Sequence, residues 1–312
     1  MTLAGALTYI NFDWIDGVAG EQVPDKVLPP DSLDHNISKG NKGSWRAHMN
    51  VLRTIIDQNL TTALILEDDI DWDIRLKPQL QNFSLATRSY LHHLFKPPAA
   101  PSRPLTKPLS LPSLPPPPPP SHHSPYGTRW DVLWLGHCGT TTTPNNPLII
   151  TIPSDPTVPS PSHLRPHPFA NPDPLHHQPP HTRLVHSPGP STACTQAYAV
   201  SRAGALKLLY RFGTRTFTTG WDLMLGDWCA GRYDEGVKEE GEKEGPVCVT
   251  VQPPLFVQHY GRGGASDITA PGGGFIDPGR EISPYVRLSV RLNMARLVRG
   301  DGDGEMVDQW PD

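Results

Sequence analysis

The sequence predicts an α/β protein, and three observations carry that expectation. The run Ala63-Leu-Ile-Leu66 has no polar interruption, which reads as a strand buried on both faces, as in a parallel sheet. It follows a stretch, Trp45 to about Asn59, in which Trp45, Met49, Leu52, Ile55 and Ile56 share one 3.6-residue face. Helix then strand is half of an α/β unit. A second buried-strand run, Trp130-Asp-Val-Leu-Trp-Leu-Gly136, ends in the turn Gly136-His-Cys-Gly139.

The remaining elements follow in chain order. Leu3 to Leu7 is helix-like, and Tyr9 to Ile15 alternates as a short strand closed by Asp16-Gly17. Residues 24–43 read as loop, and Ser44 is placed to cap the Trp45 helix. Pro78 suits the first position of a helix reaching about Leu94. Ala197 to Val200 reads as a strand, and Ser201 can cap a helix over Arg202 to Tyr210. Gly220 to Cys229 puts Asp222 at the start of a short helix, and Val247 to Gln252 is a strand. Tyr233 to Gly245 reads as a charged, solvated loop, and Phe256 to Asp267 is polar and glycine-rich. Capping logic starts a last helix at Ser283-Pro284, although Val286, Leu288, Val290, Leu292 and Met294 alternate as a strand does.

Composition bounds the organisation. Of 38 prolines, 27 fall between Pro97 and Pro190, with nine of the 14 histidines, so the folding units are expected to be the flanks plus an island at 130–139. The expectation is one domain over residues 1–298, interrupted by Pro/His-rich insertions at about 97–128 and 140–190, with a polar tail over 299–312. Pro115 to Pro120 favours polyproline II and could serve an SH3- or WW-type partner, or simply be a surface insertion. A net charge of −4 points to neither nucleic acid nor an anionic membrane. No apolar run approaches a membrane span, and residues 1–7 lack the form of a signal peptide. Cys138, Cys194, Cys229 and Cys248 have no Cys-x-x-Cys spacing and are either two disulfides of a secretory compartment or four buried thiols of the cytosol. His176, His177, His181 and His186 could bind a transition metal, but nothing helical fixes their spacing.

The chemistry concentrates after Leu66, in Glu67, Asp68 and Asp69, with Asp71 and Asp73 close behind. Ligands of open α/β sheets bind outside the carboxyl ends of strands, and carboxylates there can hold a hard divalent cation that bridges to phosphate. The alternative is an acidic turn facing solvent.

Taken in order, Gly43-Ser-Trp-Arg-Ala-His48, Leu64-Ile-Leu-Glu-Asp-Asp69, Asp131-Val-Leu-Trp-Leu-Gly136, Gln196 to Leu209, Asp222-Leu-Met-Leu225 and Gln258-His259 resemble glycosyltransferase family 25, the lipopolysaccharide-type galactosyltransferases, and look closest to fungal members. The resemblance covers about 1–96, 129–139 and 191–298. It implies a GT-A fold, a Rossmann-like α/β/α sandwich, and inverting transfer of a hexose, usually galactose, from a UDP-sugar. It implies a divalent cation, Mn2+ or Mg2+, on Asp69 with Asp68 or Glu67, and His259 completing the metal or diphosphate site. Glu67, Asp68, Gln258, Arg46 and His48 would serve the donor or acceptor. Asp222 would be the general base and Asp227 its reserve, although Asp222 could equally cap its own helix.

One departure stands out. The family opens with a strand of the Val-Ile-Asn-Leu type, and Met1 here begins downstream of it, so the expectation is an unpaired sheet edge and weak stability or solubility. The compartment is open: endoplasmic reticulum or Golgi lumen if a full-length product carries an anchor, otherwise cytoplasm. Two competing functions share the fold, a catalytically inactive scaffold using its proline-rich segment and a hydrolase of nucleotide-sugars. The acceptor is not named by any of these residues.

Overall fold

The computed structural model describes residues 1–95, 107–120, 124–143, 147–164, 172–190, 192–233, 245–262 and 279–312. The strands are β1 (Thr62–Leu66), β2 (Ile70–Trp72), β3 (Leu109–Ser110), β4 (Val132–Gly136), β5 (Ile149–Ile152), β6 (Arg183–His186), β7 (Ala197–Ser201), β8 (Cys248–Gln252) and β9 (Phe256–Gln258). The α-helices are α1 (Thr2–Thr8), α2 (Lys39–Asp57), α3 (Leu76–Phe95), α4 (Arg202–Tyr210), α5 (Trp221–Cys229) and α6 (Val290–Arg299). A mixed sheet runs in the order β1-β7-β4-β8-β6-β5-β3, and β2 pairs with β9 in a separate antiparallel ribbon.

Alternation along the strands divides the interior into two layers, because successive side chains point to opposite faces. Val132, Trp134, Tyr198 and Val200 face α2, α4 and α5, packing with Trp45, Leu52, Leu208, Trp221 and Leu225. Leu133, Leu135, Ala197, Ala199, Val249 and Val251 face α1, α3 and α6, with Phe83, Tyr90 and Trp72. This is an α/β/α arrangement compatible with a Rossmann-like fold.

Several expectations change. β1 is not a doubly buried strand of a parallel sheet: among the described residues it pairs only with β7, antiparallel, at the sheet edge, and Leu64 is 42% exposed. A short apolar run does not distinguish a central strand from an edge strand that carries its inner face on one neighbour. Tyr9 to Ile15 makes no strand. Tyr9 ends α1 in a left-handed conformation (φ 59°), and Phe12 leads the chain onto the Trp72 ring, 6.3 Å between centroids. α2 starts at Lys39 rather than Trp45, because the Ser38 side chain accepts from Asn41 N. α6 starts at Ser289, not Ser283, since Ser289 Oγ accepts from Leu292 N while Ser283 donates to Asp71. Most of the charged loop expected over Tyr233–Gly245, and the glycine-rich stretch beyond Arg262, lie outside the described residues.

The largest correction concerns the proline-rich segments. They supply β3, β5 and β6, the whole far side of the sheet. Arg183 fastens them: only 2% exposed, it donates to Asp155 Oδ2 (2.7 Å), Thr157 Oγ1 (2.9 Å) and the Pro253 carbonyl (2.6 Å). Gln79 of α3 donates to the same Thr157 hydroxyl at 2.8 Å. Of the histidines there, His176 and His177 lie edge to face at 4.7 Å, whereas His181 Nδ1 contacts the Val158 carbonyl and His186 Nδ1 the Ser187 carbonyl. The tail is docked, with Trp310 buried and Asp308 paired to Arg287 at 2.6 Å. Removing one partner of a buried ion pair strands the other charge, so Asp155→Ala is expected to lose about 3–5 kcal/mol in urea denaturation as one cooperative transition. A near-neutral effect would mean that 155–186 is a dispensable insertion.

Candidate functional site

β1, β4 and β8 run in one direction and β7 opposes them, so the carboxyl ends of β1 and β4 and the start of β7 meet at one end of the sheet. Glu67 to Asp69 leave β1 there, and Gly136 to Gly139 leave β4. Gly136 has no room for a side chain: a Cβ would lie 2.8 Å from Ala197 N and 2.9 Å from the Phe256 carbonyl. The β2–β9 ribbon therefore sits directly against the end of β4.

The segment Ala193–Gln196 organises this end. A disulfide joins Cys194 to Cys138, with Cα atoms 5.2 Å apart, and Cys138 N donates to the Ala193 carbonyl at 2.8 Å. From that anchored segment, Cys194 N donates to Asp222 Oδ2 (2.8 Å) and Thr195 Oγ1 donates to Glu67 Oε1 (2.9 Å). Glu67 N closes the set by donating to the Gln196 carbonyl at 3.0 Å. Two acids 155 positions apart, Glu67 and Asp222, are thus held by adjacent residues of one strap.

α5 reaches the strap through Gly226, where a Cβ would lie 2.5 Å from the Thr192 carbonyl oxygen. A glycine inside a helix costs about 1 kcal/mol relative to alanine, and here it permits the close approach. Asp222 lies in the first turn of α5, where the helix dipole favours a carboxylate.

Electrostatics confirm the crowding. Burial, then the charge on Asp69, pushes the Glu67 carboxyl up to about 7, with Asp222 and Asp68 adding to the rise and the Thr195 hydroxyl opposing it. Asp68 itself is exposed, and its carbonyl accepts from Arg291. A small, solvent-open cleft is lined by His137, Cys138, Gln196, Gln258, Tyr260 and Tyr285 among others.

The expected residues sort into those brought together and those not. Glu67, Asp68, Asp69 and Asp222 converge, and Gln258 lines the adjoining cleft. His259 donates its backbone N–H to the Asp69 carbonyl (2.9 Å), yet its ring turns to Ser283 at 3.0 Å and toward Glu281, so the imidazole does not join the Asp69 carboxylate. His48 faces the interior. It is buried, hydrogen-bonded to the Tyr198 hydroxyl (2.8 Å) and stacked on Trp221 at 5.2 Å, and burial drops its pKa to about 3. It supports Trp221, the residue before Asp222. Arg46, half-buried, lies in the third turn of α2 and not the first. Asp227 is paired with Arg232 at 2.8 Å on the later part of α5 and is not in the acid cluster. Asp71 and Asp73 are structural: Asp71 accepts from Ser283 and Ser289, and Asp73 accepts from Arg75 and from Leu288 N. Of the two states open to the four cysteines the structure takes the disulfides, with Cys138 on Cys194, and Thr195 is a site residue that no sequence motif marks.

Among the described residues no group of three or more His, Cys, Asp and Glu side chains forms a ready metal cage. Magnesium-type sites in phosphate chemistry commonly use one or two carboxylates plus substrate phosphates, and the mutual repulsion at Glu67 is what a cation would relieve. The donor set therefore fits a cation brought with a diphosphate. Compared with models of known protein families and with curated proteins, the chain gives no match in either.

The raised Glu67 pKa sets a pH dependence. Its contribution to stability is full below the ordinary value of 4.5 and is lost as pH rises through about 7. In metal-free buffer, Glu67→Gln is expected to raise Tm relative to the parent at pH 8 and much less at pH 5. Equal effects at both values would show that the carboxyl is not perturbed.

Proposed function

We propose that the chain is a divalent-metal-dependent transferase that moves a hexose, galactose by family resemblance, from a UDP-sugar to a hydroxyl acceptor with inversion. One observation carries this reading: the strap Cys194–Thr195 holds Asp222 and Glu67 together beside Asp69 at the carboxyl end of β1. Phosphate-bearing ligands of α/β sheets bind at such ends.

In this reading Asp69, with Asp68 or Glu67, would hold a cation brought with the donor diphosphate. The cation supplies charge stabilisation for the UDP leaving group. Asp222 takes the proton from the acceptor hydroxyl as that oxygen attacks the anomeric carbon. Its Oδ2 accepts from Cys194 N, which orients the carboxylate. Gln258 and Gln196 border the adjoining cleft. His259, His48 and Asp227 have no part in the step.

A scaffold role is the second reading, favoured by the exposure of Pro115–Pro120 in all but half-buried Pro117. Arg88 donates to the Pro118 carbonyl at 2.6 Å and holds the run beside α3. A scaffold needs neither Asp69 nor a cation. No helix among the described residues is long and apolar enough to cross a membrane.

Calorimetric titration of UDP-galactose with and without manganese separates the readings. Manganese-dependent binding is expected in the parent and absent in Asp69→Asn, whereas binding absent in every condition would favour the scaffold. Asp222→Asn is expected to keep donor binding and to lower turnover by about 100- to 10,000-fold. Unchanged turnover would assign the base elsewhere.

A further inference from the structure

Two features point to the compartment and to a modification, independently of the transferase reading. Asn36-Ile-Ser38 and Asn59-Leu-Thr61 each place an asparagine two residues before a hydroxyl side chain. That is the acceptor pattern for N-linked oligosaccharide when the middle residue is not proline. Asn36 lies in the loop before α2, and Asn59 in the turn between α2 and β1. Both asparagines are exposed, as are Ser38 and Thr61. Asn59 is left-handed (φ 54°), with its N–H on the Ile56 carbonyl at 3.0 Å, so it stands at the apex of a tight turn. A third such pattern, Asn82-Phe-Ser84, lies inside α3 with Phe83 in the core and the Ser84 hydroxyl on the Pro125 carbonyl, and is left out.

The pattern alone recurs by chance in chains of this length, so the second observation decides. All four cysteines are paired, Cys138–Cys194 and Cys229–Cys248, with none free. Cys229 and Cys248 are 5% and 3% exposed, tying α5 to β8 inside the core. Disulfides persist in oxidising compartments and are rare in the cytosol. N-linked transfer happens in the same lumen.

We propose that the chain folds in the lumen of the secretory pathway and carries N-linked oligosaccharide at Asn36 and Asn59. In the transfer the asparagine amide nitrogen bonds to the anomeric carbon of an oligosaccharide carried on a lipid diphosphate. The anomeric C–O bond breaks, the lipid diphosphate leaves with the electron pair, and the amide gives up one proton. Asn59 precedes β1 at the end away from Glu67, so a glycan there leaves the cleft open. It also adds hydrated bulk beside the free edge of β1, where Leu60 and Leu64 are 36% and 42% exposed, and so opposes edge-to-edge pairing.

The test takes the full-length protein, tagged at its C-terminus, from its own cells. It is digested in heavy-oxygen water with an amidase that releases N-linked glycans, and peptides are mapped by mass spectrometry. Two downward mobility steps are expected, with label at Asn36 and Asn59, one step in Asn36→Gln or Asn59→Gln, and none in the double variant. Thr61→Ala, which keeps the asparagine, is expected to match Asn59→Gln. All four cysteines are expected to resist alkylation until reduced. An unshifted parent protein with unlabelled Asn36 and Asn59 peptides overturns the proposal, and so do cysteines that alkylate without reduction. Neither result depends on UDP-sugar binding.

Discussion

The strap Ala193–Gln196 is the constraint on which the site depends. Glu67 ends an edge strand and Asp222 opens a nine-residue helix, and nothing local in either element brings them together. The strap does so with one backbone N–H and one hydroxyl, and the Cys138–Cys194 disulfide fixes it to the turn after β4. Two further features serve the same end. Gly226 lets α5 close on Thr192, and His48 with Tyr198 supports Trp221 from beneath. Burial, and after it the like charge of Asp69, raises the Glu67 pKa, a local instability of the kind that sites carry and surrounding structure offsets.

The acidic run after β1 divides its labour. Its first three members, Glu67, Asp68 and Asp69, stay at the sheet end. Asp71 and Asp73, in and just after β2, turn inward and bind the 283–291 segment through serine hydroxyls and backbone N–H groups. The reason is the strand period: Asp71 and Asp73 share one face of a ribbon whose other residues, Ile70 and Trp72, enter the core. Buried acids of this kind need partners, and α6 with its Ser289 cap supplies them. The same ribbon turns His259 away from Asp69.

Much of the fold was legible where signals are local. Ser201 caps α4 through Gly204 N as its position implied, β4 and β7 are the buried strands their runs announced, and Asp222 opens α5. What was not legible depended on distant partners. Ile149-Ile-Thr-Ile152 and Arg183-Leu-Val-His186 carry strand-forming side chains, yet the prolines around them outweighed that signal, and their pairing with each other and with β8 is non-local. The edge position of β1 depends on which strands lie beside it, and a run of four apolar residues is silent on that. Within the site, the acids could be read from their place at a strand end. Thr195, the pairing of the cysteines and the turned rings of His48 and His259 could not, because each is defined by a contact from another part of the chain.

The central claim is that Glu67, Asp69 and Asp222 share one electrostatic site that accepts a cation with a diphosphate. Carbon-13 NMR titration of the Glu67 carboxyl, metal-free and then with magnesium and UDP, tests it most directly. The account predicts a midpoint near 7 without metal, falling when magnesium and UDP are added. A midpoint near the ordinary 4.5 that ignores both additions would contradict it.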